Sequence, residues 1–212
     1  METPDLSKNY PLQHEWTLWV GKQHKGGNWS DSMVHLCDFK TVQEFAQYWN
    51  HVPRPSQCFG GAKPIESVQL FKKGIRPEWE DDANANGGEW TVRKPFDLRS
   101  GELDTLWENL VRRTPHPSPP CACVTRLPRA QVMGLVGEQI DDGDEICGAR
   151  VVDKSRGRQS IFRLEMWYRD SSKEDVNNTL RDKMIECLNH GDPGKAASNL
   201  AFEKVVHNDK KW

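Results

Sequence analysis

SVQLFKKG (67–74) runs into the acidic, glycine-terminated stretch IRPEWEDDANANGG (75–88), and EWTVRKPF (89–96) runs out of it. Both flanks are short and rich in β-branched and aromatic residues, and they are bounded by glycine and proline, so they read as strands joined by a long loop. Upstream, WTLWV (16–20) alternates with Trp16, Leu18 and Val20 on one face and Thr17 and Trp19 on the other. MVHLCDF (33–39) is a further strand. Thr41 then reads as a helix N-cap with Glu44 completing a capping box, and Val42, Phe45, Trp49 and Val52 recur at helical spacing until Pro53 and Pro55 stop the helix.

Downstream, LDTLWENLV (103–111) places Leu103, Leu106, Trp107 and Leu110 on one helical face. PHPSPPCAC (115–123) cannot continue that helix, so residues 112–129 are expected to form a proline-rich insertion flanked by arginines. AQVMGLVGEQI (130–140) resumes an amphipathic pattern. Cys147 to Asp153, SIFRLEMWY (160–168) and LAFEKVVH (200–207) read as strands, and EDVNNTLRDKMIECLNHG (174–191) as a helix ending at Gly191. Residues 1–13, polar and broken by Pro4 and Pro11, read as a flexible arm before a single domain over 14–212. Runs of strands separated by three helical segments predict an α+β fold, a bent antiparallel sheet backed by helices.

Composition narrows the function. The 29 Lys and Arg nearly cancel the 31 Asp and Glu, so no global field holds a long nucleic acid and any RNA contact is local and short. The N-terminal METPDLSKNYPLQHEW carries no apolar run, and no stretch of 18 apolar residues occurs, which predicts neither a secretory signal nor a membrane span and points to the cytoplasm. Cys121 and Cys123 are separated by one residue rather than two, the seven histidines share no ligand spacing, and no nucleophile motif is present. No metal, cofactor or catalytic residue is therefore expected.

Two loop tryptophans stand out among the nine. Trp79 sits beside Glu80 in the long loop, and Trp29 lies in GGNWSD (26–31), outside any periodic core position. A loop tryptophan alone is either a lid on the core or a ligand contact. Glu80 sharpens the choice, because a carboxylate accepts the paired N1–H and N2–H donors of guanine. A base made cationic by N7 methylation gains cation–π attraction between two such rings. In DKSRGR (153–158), Lys154, Arg156 and Arg158 project to one side of an extended backbone and suit a short polyphosphate, although charge runs also form plain solvated faces.

YPLQHEWTLW (10–19), Asn28-Trp29, the VQEF and NHV pieces between Val42 and Val52, LFKKGIRPEWED (70–81) with GGEW (87–90), and IDDGDEICGA (140–149) fall in an order that resembles the translation initiation factor 4E family. The resemblance runs from about Tyr10 to Trp90 and resumes from about Met133 to residue 188. It implies a curved antiparallel sheet of about eight strands, with three helices on the convex face and the 7-methylguanosine cap of mRNA in the concave one. It also implies a Trp29–Trp79 sandwich with Glu80 as guanine acceptor, and Lys154, Arg156 and Arg158 on the triphosphate.

Where the family has a third base contact this chain carries Leu164, with Trp167 three residues on, and a family basic position is Glu89. On the convex side, where family members receive a helix of a 4G-type scaffold or a repressor, the family valine is kept as Val42, Ala46 and Glu108 stand in the tryptophan and leucine registers, Pro11 adjoins them, and Trp49 reads either as replacement surface or, by its spacing, as core. The resemblance therefore implies a cap-binding initiation factor, with a cap-binding repressor or storage factor as its alternative. A scaffold that has lost the cap, and a cap hydrolase using Glu80, Asp81 and Asp82, are the rivals from other classes.

Overall fold

The computed structural model describes residues 9–23, 29–59, 65–112, 134–138, 140–141, 143–156, 160–190, 197 and 200–208, with the backbone alone at Trp29. The first eight residues, Arg158, Cys121, Cys123 and all but the first residue of the 112–129 insertion lie outside them.

Seven strands form one open antiparallel sheet in the order β2-β1-β3-β5-β6-β4-β7. In chain order they are β1 (Pro11–Lys22), β2 (Met33–Thr41), β3 (Ile65–Lys72), β4 (Gly88–Lys94), β5 (Ile146–Asp153), β6 (Phe162–Tyr168) and β7 (Phe202–Val206). The helices are α1 (Val42–Trp49), α2 (Pro55–Cys58), α3 (Glu102–Val111) and α4 (Glu174–Leu188), with a 3-10 turn over Trp29–Ser32. The α+β architecture is the expected one. The described residues hold seven strands rather than about eight, and a one-turn helix opening on Pro55 joins the three expected.

One boundary is corrected. The arm does not extend to residue 13, because β1 begins at Pro11, paired with Thr41, and the amide of Val42 donates to the Tyr10 carbonyl at 2.9 Å. Pro11 is tolerated there because the register shifts between Pro11 and Trp16, so its missing N–H falls at a bulge rather than in a regular ladder.

Strand alternation divides the sheet into two faces. One crosses it through Leu18, Leu70, Ala149, Met166 and Trp90, and again through Val68, Val151, Leu164 and Val92. These side chains pack with Phe45, Leu103, Leu106, Trp107, Leu110, Leu180 and Met184 of the helices into the main core. Polar ties fix the helices in place. The Trp90 indole donates to the Asn177 carbonyl at 2.7 Å, and the Asn109 amide donates to the His190 carbonyl at 2.8 Å. At the start of α1, the Thr41 hydroxyl accepts the Glu44 amide at 3.1 Å, the expected N-cap, while the Glu44 carboxylate accepts the amide of Lys40, one residue before the cap, at 2.9 Å.

Candidate functional site

The opposite face of the sheet carries no described helix, and its side chains change character. One row crosses it as Phe71, Gly148, Trp167 and Glu89, the next as Gln69, Arg150, Glu165 and Thr91, and the third as Ser67, Val152, Arg163 and Arg93. Two of these carboxylates are fully buried, Glu89 and Glu165, and buried charges persist only when paired. The Arg150 guanidinium bonds to Glu165 and lies 4.6 Å from the centre of the Trp167 ring. Arg163 bridges Glu165 at 3.2 Å and Glu89 at 2.8 Å, and the second oxygen of Glu89 faces Nε2 of His207 at 3.7 Å. Burial alone would push the Glu165 carboxyl up. The charges of Arg150 and Arg163, with hydrogen bonds from Arg150 and the Trp167 indole, outweigh it and hold the group down at about 2.

Above this floor stands the loop between β3 and β4. Asn84, fully buried, donates both amide hydrogens to backbone, reaching the carbonyls of Arg76 and Glu78 at 2.8 Å each. Asp81 accepts the amides of Arg76 at 2.8 Å and Ala83 at 2.9 Å. The loop is thus laced to itself by two short side chains. Its far end must run hard against neighbouring strands: a Cβ on Gly87 would fall 1.9 Å from the Tyr168 carbonyl oxygen, so glycine alone fits.

Trp79 is half-buried, rooted on a small cluster of Phe71, Ile75, Cys147 and Trp167 distinct from the main core. Burial in that cluster pushes the Cys147 thiol up to about 12. His207 closes the underside. Its Nδ1 donates to the Asn84 carbonyl at 2.8 Å, and its ring lies 6.2 Å from that of Trp79 and 4.5 Å from that of Trp167.

Loop and floor enclose a cleft of about 900 Å³. Trp79 and Glu80 line one wall, Lys22, Ser30 and Ser32 another, Arg150, Val152 and Trp167 the floor, and Lys154 one end. The loop's carboxylates divide their tasks. Glu78 pairs with Arg76 at 2.8 Å and Asp81 caps backbone, whereas Glu80 is exposed and, among the described residues, joins no ion pair. Lys154, bonded to Glu66 at 2.8 Å, also lines a smaller cleft with Arg93, Arg156, Ile161 and Arg163.

Of the expected site residues, Trp79, Glu80 and Lys154 meet in one cleft and Arg156 lies in the adjoining one. Trp29 opens the 3-10 turn whose Ser30 and Ser32 line the wall. Its side chain, like Arg158, lies outside the described residues. Leu164 is corrected: it is fully buried on the helix-covered face, because strand parity sends Arg163, Glu165 and Trp167 to the cleft side and Leu164 and Met166 away from it. Trp167 is the aromatic floor instead. Glu89, at the family's basic position, has its charge matched by Arg163.

The sequence reading missed Arg150, Trp167 and His207 as parts of the cleft. A strict two-residue period through RLEMW (163–167) carried the signal for Trp167, and nothing local marked His207. On the helix side, Val42 is buried, and Trp49 packs on Phe45 at 5.3 Å and Trp107 at 6.3 Å. Glu108 pairs with Arg112 one turn on, while Ala46 is half-exposed and Pro11 exposed beside the start of α1. Among the described residues no group of three His, Cys, Asp or Glu side chains converges to hold a metal ion, and no helix is long and apolar enough to cross a membrane.

An open antiparallel sheet with helices on one face and an aromatic, carboxylate-rimmed cleft on the other defines an α+β class of protein. The sequence profile of the family described as Eukaryotic initiation factor 4E matches residues 11–114 and 123–211. This chain belongs to that family. It is 33% identical to eukaryotic translation initiation factor 4E-3 of Caenorhabditis elegans over 178 residues, 82% of this chain and 59% of the relative. To initiation factor 4E-1 of Zea mays it is 30% identical over 98% of this chain and 78% of the relative. Among solved structures it resembles that of Ascaris suum initiation factor 4E-3 with an m2,2,7G cap, with a TM-score of 0.70 at 29% identity, covering 94% of this chain and 92% of that one. It also resembles C. elegans initiation factor 4E-3 in complex with the 4E-binding protein Mextli and a cap analog, with a TM-score of 0.69 at 29% identity and 95% coverage of both chains.

Proposed function

We propose that this chain binds the 7-methylguanosine cap of mRNA in the 900 Å³ cleft and thereby acts in translation initiation, without chemistry of its own. Trp79 stacks on one side of the base and Trp29 on the other, and Glu80 accepts the N1–H and N2–H donors of guanine. Lys154, Arg156 and Arg158 follow the triphosphate. The carrying observation is Glu80, an exposed carboxylate in no ion pair among the described residues, beside a half-buried tryptophan on the rim of the cleft. The complexes of Ascaris suum initiation factor 4E-3 with m7G and m2,2,7G caps support the cap-binding reading.

Titration of the native chain, read by quenching of tryptophan fluorescence, tests it. Two cation–π contacts are expected to make 7-methyl-GTP bind about 10- to 100-fold tighter than GTP. Equal affinities, or full binding retained by Glu80→Ala, would remove the reading. The helix-bearing side, through Pro11, Val42, Ala46, Trp49 and Glu108, is the surface proposed for a partner helix from a 4G-type scaffold or a divergent equivalent. Support comes from the Mextli complex of the C. elegans relative. The Glu108–Arg112 pair and the small Ala46 favour a second reading, a cap-binding repressor or storage factor with its own partner. Co-purification from cells separates the two.

A further inference from the structure

We propose that the small basic cleft beside the main one holds a backbone phosphate of the RNA chain beyond the cap, so that the protein binds capped RNA better than the cap alone. This rests on the cap-binding reading above.

The cleft encloses about 350 Å³ between Arg93, Lys154, Arg156, Ile161 and Arg163. Arg93 and Arg163 stand directly opposite one another across β4 and β6. Like charges so placed repel, and an anion between or above them reverses the sign of the interaction. Arg163 is balanced on its other side by Glu89 and Glu165, and Lys154 by Glu66. Arg93 and Arg156 are both exposed, and among the described residues neither is bonded to a carboxylate. The concavity contains no acidic side chain of its own, and with Arg156 assigned to the triphosphate, Arg93 is the charge left over for a further phosphate.

A phosphodiester fits this chemistry, since a planar guanidinium bonds two phosphate oxygens in parallel. Lys154 lines both clefts, so an occupant of the second continues an occupant of the first. Along β4 the cleft side passes from Glu89, in the row of Trp167, to Arg93 four residues on, about 14 Å at strand spacing. That distance carries a chain out of the base site and past its first phosphates. Arg93 is not among the residues assigned to the cap itself.

The native chain and Arg93→Ala are compared on 7-methyl-GpppA and 7-methyl-GpppApG, which differ by one phosphodiester and the guanosine it carries. The native chain is expected to bind the longer ligand about three- to tenfold tighter, in keeping with one exposed charge-assisted contact. The affinity should fall with salt more steeply by about 0.7 in the logarithmic slope. Arg93→Ala is expected to lose that gain and keep its affinity for 7-methyl-GpppA, and Arg93→Lys to retain most of the gain as a point charge. A gain below about twofold in the native chain, the result also expected if the cleft serves an acidic peptide, overturns the assignment while leaving the cap reading intact. A gain that survives Arg93→Ala overturns it too. Failure of 7-methyl-GpppA itself to bind overturns the cap reading, and this inference with it.

Discussion

The two faces of the sheet are built from the same strands, one residue apart, and they are stabilised in opposite ways. The row Leu18–Leu70–Ala149–Met166 is apolar and buried against helices, and its contribution is the non-directional one of area removed from water, about 1.5–3 kcal/mol for each large side chain. The row Gln69–Arg150–Glu165–Thr91, one pleat over, is also almost fully buried, yet it is held by directed charge pairs. Such pairs contribute little net stability and lose a great deal when one partner is removed. What they provide is a charge-balanced floor beneath the proposed contacts Glu80, Lys154 and Arg93.

The largest effect expected from testing that contrast is at Glu165. Glu165→Gln leaves the Arg150 guanidinium without a carboxylate and Arg163 with Glu89 alone, at a cost of about 3–5 kcal/mol in urea unfolding. It should weaken cap binding as well, because Arg150 and Trp167 exchange their common carboxylate for a neutral amide oxygen. The same carboxyl gives the native protein an acid limb. Its folded value is held below its unfolded one, so its contribution is present in full above about 4.5 and is lost as pH falls toward about 2. Glu165→Gln should flatten that limb.

Leu70→Ala, at a fully buried site on the other face, is expected to cost about 2–5 kcal/mol at every pH and to leave the cap affinity of the folded fraction unchanged. Equal losses of affinity in the two variants would break the contrast. The smallest expected effect concerns the wall rather than the floor. Asn84→Ala leaves the carbonyls of Arg76 and Glu78 without their buried donor, costing about 1–3 kcal/mol. It should lower affinity through misplacement of Trp79 although Asn84 itself touches no ligand. Calorimetric melting beside a cap titration separates the two contributions.

Much of this was readable along the chain because it is local. The cap at Thr41 needs residues three apart, the strands announce themselves by a two-residue period, and Trp79 and Glu80 are neighbours in a loop that periodicity cannot absorb. The start of β1 was not readable, because Pro11 argues against a strand unless the bulge that excuses it is known. Nor was the fate of Glu89. A carboxylate replacing a basic residue reads as a repulsive wall until Arg163, 74 residues away in sequence, is found bonded to it. Leu164 misled because family register was followed where strand parity decides the facing. His207 is the extreme case, since its partner Asn84 is 123 residues distant.

That last contact also sets an order of events. Synthesis proceeds from the N-terminus, and segments can begin to organise as they emerge. Apart from Ala197 and the flanking Leu200 and Phe202, the helix-covered core draws on residues made by the end of α4. The support beneath Trp79 does not, because His207 arrives only when β7 has docked along β4 and the amide of His207 has bonded to the Gly87 carbonyl at 3.1 Å. A nascent chain released only as far as α4 therefore has most of its interior but lacks the ring that lies beneath Trp79.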